Sequence, residues 1–283
     1  MQTTFPVKHY DLAATLSSGQ AFRWRLIDSA WVGVVDARWI RLRQDGDVVV
    51  AETAEPVEDW SWLRHYLQTD VDLAPILAAF PKDAAMMASI EACAGLRLLR
   101  QDPWECLACF ICSSTKQIVQ IRQIVELLCR RFGEPVSAPP GAEPAWSFPG
   151  FARIAQVSEV DLRACKMGFR APYLLDTARQ AAAGQLDLRR VYDLPLAEAR
   201  VQLMGLPGVG RKIADCVLLF AYGFPTAFPV DVWVIKALRR LYFPRRRVKL
   251  KRLHLFSETH FGPHAGYAQQ YLFHYVRTKE RVK

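Results

Sequence analysis

Apolar and polar residues alternate through Trp31-Val-Gly-Val-Val35 and again through Trp39-Ile-Arg-Leu-Arg43. Gln44-Asp-Gly-Asp47 then interrupts the pattern before Val48-Val-Val-Ala51. A period of two broken by an Asp-Gly turn predicts an antiparallel hairpin with its apolar side chains on one face. Helical periodicity follows over about 57–68 and 71–80.

From Asp102 the period lengthens. Asp102-Pro103 is a helix start, with Asp as N-cap and Pro in the first turn. That helix runs to Cys112 and breaks at Ser113-Ser114. A second spans about Gln117 to Phe132, with Gly133 as its C-cap candidate. Residues 134–149, rich in Pro, Ala and Gly, read as a loop. Shorter helices are expected near 158–165, 171–183, 195–204, 211–222, 231–242, 250–260 and 264–280. The pattern predicts an α+β chain: an antiparallel β-sheet domain over 1–100, then an all-α domain over 101–283.

Composition narrows the partner. Thirty-seven Lys and Arg against 28 Asp and Glu, a formal charge of +9 over 283 residues, favour a polyanion. No run of 18 apolar residues occurs, so no membrane span is expected. The start has no basic region followed by an apolar one, which argues for an intracellular protein: cytoplasm or nucleoid in a bacterium, nucleus in a eukaryote. Seven cysteines, most in apolar segments, read as free thiols. Cys106, Cys109 and Cys112 have a spacing like an iron–sulfur run, but as helical positions among Leu, Phe and Ile they read as core, and no cluster is expected. The basic stretch Phe243 to Arg252 reads as a loop near the polyanion, or else as a nuclear signal.

The densest chemistry lies in Leu203-Met-Gly-Leu-Pro-Gly-Val-Gly-Arg-Lys-Ile-Ala-Asp-Cys216. Gly208 and Gly210 permit positive φ and close backbone approach between two helical segments. The second helix opens on unpaired N–H groups, which together with Arg211 suit a phosphate. Lys212 lies in its first turn. The positive helix end and Arg211 work against its charged form, and an amine that sheds its proton is a nucleophile. Asp231 follows nineteen positions later in Phe228-Pro-Val-Asp231, placed to cap the helix from Val232.

The hairpin with its Lys and the Pro-x-Asp beyond it resemble the helix-hairpin-helix glycosylase superfamily. Three further segments resemble its 8-oxoguanine DNA glycosylase branch: Leu16 to Trp24, Asp102 to Ser114, and Gly262 to Phe273. The resemblance implies a TATA-binding-protein-like N-terminal sheet domain and a monomer acting on double-stranded DNA that carries oxidised guanine. It implies that Lys212 attacks the sugar carbon bearing the base, that Asp231 stabilises the positive charge developing there, and that a Schiff base and strand cleavage by β-elimination follow. It assigns the base pocket to Gly19, whose carbonyl would meet the N7 proton of the oxidised base, and to Phe110, Cys216, Gln269 and Phe273. It implies no cofactor beyond a structural cation on the backbone carbonyls of Met204, Leu206 and Val209.

The chain departs from the family where the opposite strand is read. Family members carry an Asn run and an Arg after Cys-Ser-Ser; here Thr115 and Gln120 fall in that segment. Phe169-Arg170 resembles a Tyr-Arg pair that wedges the duplex and contacts the orphaned cytosine. Trp233 replaces a phosphate-contacting His. These changes predict weakened discrimination among opposite bases. Two alternatives stand beside this reading: a glycosylase for alkylated purines, and a non-catalytic binder of DNA structure.

Overall fold

The computed structural model describes residues 1–244 and 248–281, the last two by backbone alone. Arg245 to Arg247, at the centre of the basic stretch, lie outside the described residues. Strands β1 (Gln2–Pro6), β2 (Arg25–Ile27), β3 (Ala30–Val35), β4 (Arg38–Asp45) and β5 (Val48–Thr53) form an antiparallel sheet in the order β1-β5-β4-β3-β2. The predicted hairpin is its centre. Leu42 opposite Ala51 and Gln44 opposite Val49 set a register that turns Ile40, Leu42, Val49 and Ala51 inward, where all four are fully buried. Gly46 takes φ 56° in the two-residue loop joining β4 to β5, a turn whose twist matches that of the strands.

Strands β1 and β2 and helix α1 (Leu12–Ser17) were not expected. β1 is largely polar, and both strands lie at sheet edges where burial is one-sided. The turns flanking β3 are Asp28-Ser29 and Asp36-Ala37, all four residues at φ between 47° and 60° without a glycine to mark them. Gly33 is required by packing: a Cβ there would stand 2.7 Å from the Trp24 ring that fills the centre of this core.

Three short helices follow the sheet: α2 (Ser61–Leu67), α3 (Leu73–Ala78) and α4 (Ala84–Ala92). Asp72 and Asp83 cap the last two with hydrogen bonds from Ala74 N at 2.9 Å and Met86 N at 2.8 Å. Among the described residues the remaining elements are helical, apart from the two-residue strands β6 (Pro135–Val136) and β7 (Ala145–Trp146) in the expected loop. The first part comprises α5 (Pro103–Cys112), α6 (Ile118–Phe132), α7 (Phe151–Ala155), α8 (Glu159–Ala164) and α9 (Ala171–Ala182). Then come α10 (Leu196–Met204), α11 (Arg211–Val217), α12 (Val232–Leu241), α13 (Leu250–His260) and α14 (Ala265–Arg281). Among the described residues no helix is long and apolar enough to cross a membrane.

The buried side chains form two clusters. One lies under the sheet, with Trp24, Leu63 and Leu67; the other fills the helical part. α3 and α4 bury Leu73, Ile76 and Met86 in the helical cluster although they precede residue 100, so the core crosses the expected division of the chain. Arg23 ties the two parts together, 3.5 Å from Glu105 in the first turn of α5 and donating to the Trp146 carbonyl.

Local signals set the helix ends. Asp102 caps α5 by accepting from Glu105 N at 2.8 Å. Gly133 ends α6 at φ −81°, outside the left-handed conformation of the usual glycine C-cap. It is glycine because a Cβ would fall 2.0 Å from the Ser147 carbonyl oxygen. The helix expected over 211–222 changes winding midway. α11 passes into a π turn at Leu218–Tyr222, stopped by Gly223 at φ 77°, where a Cβ would strike the Arg100 guanidinium. Cys106, Cys109 and Cys112 are buried on α5, and burial raises all three thiols, Cys112 to about 12.

Candidate active site

A cavity of about 860 Å³ opens between α5, α6, α11, α12 and α14, within the range of sites that enclose a small ligand. Lys212 and Asp231, distant in sequence, both line it, as do Gly19, Phe110, Cys216, Gln269 and Phe273.

Lys212 stands in the first turn of α11. Its Nζ donates to Ser113 Oγ at 3.1 Å and lies 5.1 Å from the centre of the Phe110 ring. Ser113 Oγ in turn donates to the Phe110 carbonyl at 2.7 Å. That leaves a hydroxyl lone pair for the amine, so the end of α5 aims the lysine. In the sequence Ser113 marks only a helix break; its hydroxyl becomes a contact through folding. Arg211 is held by carboxylates. Its guanidinium pairs with Glu258 on α13 and stands 3.5 Å from the buried Asp215, and the same pairs occupy the side chain expected to meet a phosphate.

Asp231 caps α12, accepting from Val234 N at 2.8 Å. Burial pushes its carboxyl above the ordinary value of 3.8; the Val234 N–H and the Lys212 charge pull it back. The site therefore has an amine and a carboxylate at two helix starts, facing one chamber.

The chamber walls are aromatic and soft. Phe110 stacks on Phe220 from the π turn, ring centres 5.7 Å apart, and meets Phe22 edge-on at 5.6 Å. Cys216 lies one helical turn beyond Lys212, and burial raises its thiol to about 12, so it stays protonated. Gln269, 3 % exposed, has its Oε1 buried with no hydrogen-bond partner among the described residues. An orphaned acceptor in a cavity is costly unless a ligand donor meets it. Gly19 sits in the wall at φ 80°, and a Cβ there would lie 2.9 Å from Ile118 Cδ1.

The residues expected to wedge the duplex and read the opposite strand divide. Phe169 is 51 % exposed in the turn before α9; the Arg170 guanidinium covers one face of its ring, 4.1 Å from the centre, and Tyr173 packs edge-on, 6.2 Å between ring centres. Arg170 is 2 % exposed and turned inward. It donates to the Met167 carbonyl at 3.1 Å, to the Ser114 carbonyl and to Thr115 Oγ1 at 2.5 Å. It braces the 113–116 turn, in which Thr115 takes φ 55°, and so does not present a donor to an opposing base. Gln120 is exposed in the first turn of α6, and its Oε1 accepts from Gln117 N at 3.0 Å. Trp233 lines the cavity, with Lys236 Nζ 5.5 Å from the centre of its ring.

The hairpin joins α10 to α11. Its two glycines serve different ends. Gly208 takes φ 73°, and a Cβ would stand 2.4 Å from the Tyr173 ring. Gly210 is extended at φ −87° with nothing within 4 Å of a Cβ. Its space is open to an outside group, and as N-cap it leaves the first N–H groups of α11 without a side-chain partner. Gly208→Ala is expected to cost about 1–3 kcal/mol of stability. Gly210→Ala should melt like the parent yet bind duplex DNA about tenfold more weakly, a methyl blocking phosphate approach. Equal melting losses in both variants would show that the protein itself fills the space at Gly210.

Known proteins resemble the chain over most of its length. Residues 3–107 match the family described as 8-oxoguanine DNA glycosylase, N-terminal domain, and residues 108–258 match the HhH-GPD superfamily of base excision DNA repair proteins. The chain is 33 % identical to the N-glycosylase/DNA lyase OGG1 of Arabidopsis thaliana over 95 % of this chain and 79 % of that protein. It is 28 % identical to a probable N-glycosylase/DNA lyase of Methanothermobacter thermautotrophicus over 96 % of this chain and 95 % of the relative. Among solved structures it is similar to the 8-oxoguanine glycosylase/lyase of Clostridium acetobutylicum in complex with double-stranded DNA containing cytosine opposite 8-oxoguanine. The TM-score is 0.92 at 30 % identity, covering 99 % of this chain and 98 % of that one. A 3-methyladenine DNA glycosylase from Archaeoglobus fulgidus shares the fold at 20 % identity.

Proposed function

Since the chain belongs to the HhH-GPD superfamily of base excision repair proteins, with an 8-oxoguanine DNA glycosylase N-terminal domain, we propose that Lys212 and Asp231 carry out its glycosylase and lyase chemistry on 8-oxoguanine. The observation that carries this assignment is the meeting of Lys212 and Asp231 in one cavity with a buried, unpaired Gln269 acceptor. The damaged nucleotide flips out of the duplex into that cavity. Its base lies between Phe273 and Cys216, and its edge meets Gln269 Oε1 and the Gly19 carbonyl. Phe169 fills or wedges the stack it leaves.

Cleaving the N-glycosidic bond builds positive charge on the sugar, which the Asp231 carboxylate stabilises. The Nζ lone pair of deprotonated Lys212 forms a bond to C1′ as the base departs with the glycosidic electron pair and takes up a proton. Loss of a second amine proton and opening of the sugar ring leave a Schiff base. That adduct acidifies the C2′ hydrogen; its removal expels the 3′ phosphate and cuts the strand. A cation held by the carbonyls of Met204, Leu206 and Val209 completes the proposal. The Leu206 carbonyl already accepts from Val209 N at 3.1 Å, which leaves it one lone pair to offer such an ion.

Arg170, expected to read the opposite base, spends its donors within the protein, and Gln120 gives its Oε1 to Gln117 N, which together support weak opposite-base discrimination. Borohydride trapping on four duplexes, with 8-oxoguanine opposite C, T, G or A, tests both parts. A covalent complex is expected on each, in similar yield. No complex on any duplex would refute the Schiff-base mechanism; a complex with cytosine alone would refute the weak discrimination.

A further inference from the structure

Glycine is the residue least able to hold its own carbonyl in one direction, because both φ and ψ are soft. A glycine acceptor can distinguish two bases that differ by one hydrogen only if something else fixes the peptides around it. In this chain the peptides flanking Gly19 are pinned one by one. The Ser17 carbonyl accepts from Arg277 at 3.2 Å, the Ser18 carbonyl from Gln270 Nε2 at 2.9 Å, and the Gln20 carbonyl from Gln101 Nε2 at 2.8 Å. From beneath, the fully buried Gln20 amide donates to the Thr15 carbonyl at 2.9 Å and the Arg97 carbonyl at 2.8 Å.

Two of these holds come from α14, the helix that also carries Gln269 and Phe273. Neighbouring helix positions point about 100° apart. Gln269 and Gln270 both border the cavity, but Gln269 leaves its Oε1 unpaired there, whereas Gln270, 2 % exposed, commits its Nε2 to the Ser18 carbonyl of the loop. Arg277 lies seven residues on, two turns along the same face. One helix thus carries the base-reading amide and sets the position of the loop opposite it.

We propose that Gln270 is a positioning residue for base recognition: through the Ser18 carbonyl, with Arg277 on Ser17, it locks the Gly19 carbonyl in register with Gln269 and so sets discrimination between 8-oxoguanine and guanine. The proposal rests on the function given above and goes beyond it by assigning selectivity to a residue that reads the base only through another.

Gln270→Leu keeps the bulk and removes the donor. Three quantities are measured for parent and variant: single-turnover release of 8-oxoguanine, strand cleavage at a preformed abasic site, and competition of 8-oxoguanine against guanine duplexes for binding. Abasic DNA has no base to read, so that reaction reports on fold, Lys212 and Asp231 alone. Losing one buried hydrogen bond should lower base release about tenfold and narrow the binding preference by a similar factor, with abasic cleavage within about twofold of the parent. Gln270→Asn, one methylene too short to reach Ser18, is measured alongside and should shift the same two readouts, so the outcome does not hang on the leucine variant folding. Equal losses on both substrates would mean the bond serves only the fold. Unchanged base release and preference in a folded variant would also overturn the proposal. Failure of the parent to release 8-oxoguanine would instead refute the underlying function.

Discussion

Replacing Lys212 with Gln is expected to abolish base release and strand cleavage together, along with the borohydride-trapped adduct, while leaving duplex binding intact. Glutamine is close to lysine in reach, can donate to Ser113 Oγ, and packs on the Phe110 ring where Nζ now stands 5.1 Å from the ring centre. The cavity should keep its shape and lose only its nucleophile. Without covalent capture, breaking the bond depends on water and on Asp231 alone. We expect base release to fall at least about 10³-fold, roughly 4 kcal/mol in barrier. Binding should change little, because the hairpin backbone is untouched and only one of 37 Lys and Arg residues is removed. Single-turnover kinetics and a gel-shift titration measure the two. If the variant loses strand cleavage but releases base at the parental rate, water is the nucleophile and Lys212 acts only afterwards.

The second large effect belongs to Asp231. Asparagine is as good an N-cap as aspartate, so Asp231→Asn should keep α12 in place and accept from Val234 N as before. It removes the negative charge that faces the developing cation. A loss of about 10²–10³-fold in base release is expected, comparable to removing one preorganised electrostatic partner from other active sites. The pH profile separates charge from geometry. The parent requires the ionised carboxylate, and burial raises this group above 3.8. Parental activity should therefore fall as pH drops through a value above that of a free aspartate. The variant, with nothing to protonate there, should lack that acid limb while remaining slow throughout. An unchanged acid limb in Asp231→Asn would assign the titration to another group.

Lys212 and Asp231 can both be picked out from local sequence. A helix start, a glycine turn and a carboxylate N-cap are written in residues a few positions apart, so the hairpin, Lys212 and Asp231 are legible in the chain. The same holds for the β4–β5 hairpin, whose alternation and Asp-Gly turn are local, and for the caps at Asp102 and Asp231. The base-pocket residues were legible only through family resemblance, since a buried Phe273 or Cys216 otherwise reads as core.

What the fold alone decided is where long polar side chains spend their hydrogen bonds. Arg170 reaches a carbonyl 56 positions back, Lys212 a hydroxyl 99 positions back, and Gln270 a carbonyl 252 positions back. No periodicity or capping rule spans such distances. An arginine or glutamine has several rotamers of similar energy, and the nearest unpaired acceptor in the folded chain selects among them. Local sequence thus named the proposed nucleophile and its carboxylate, whereas packing between distant segments buried Arg170 against the 113–116 turn, set Ser113 under the amine, and fixed the loop that carries Gly19.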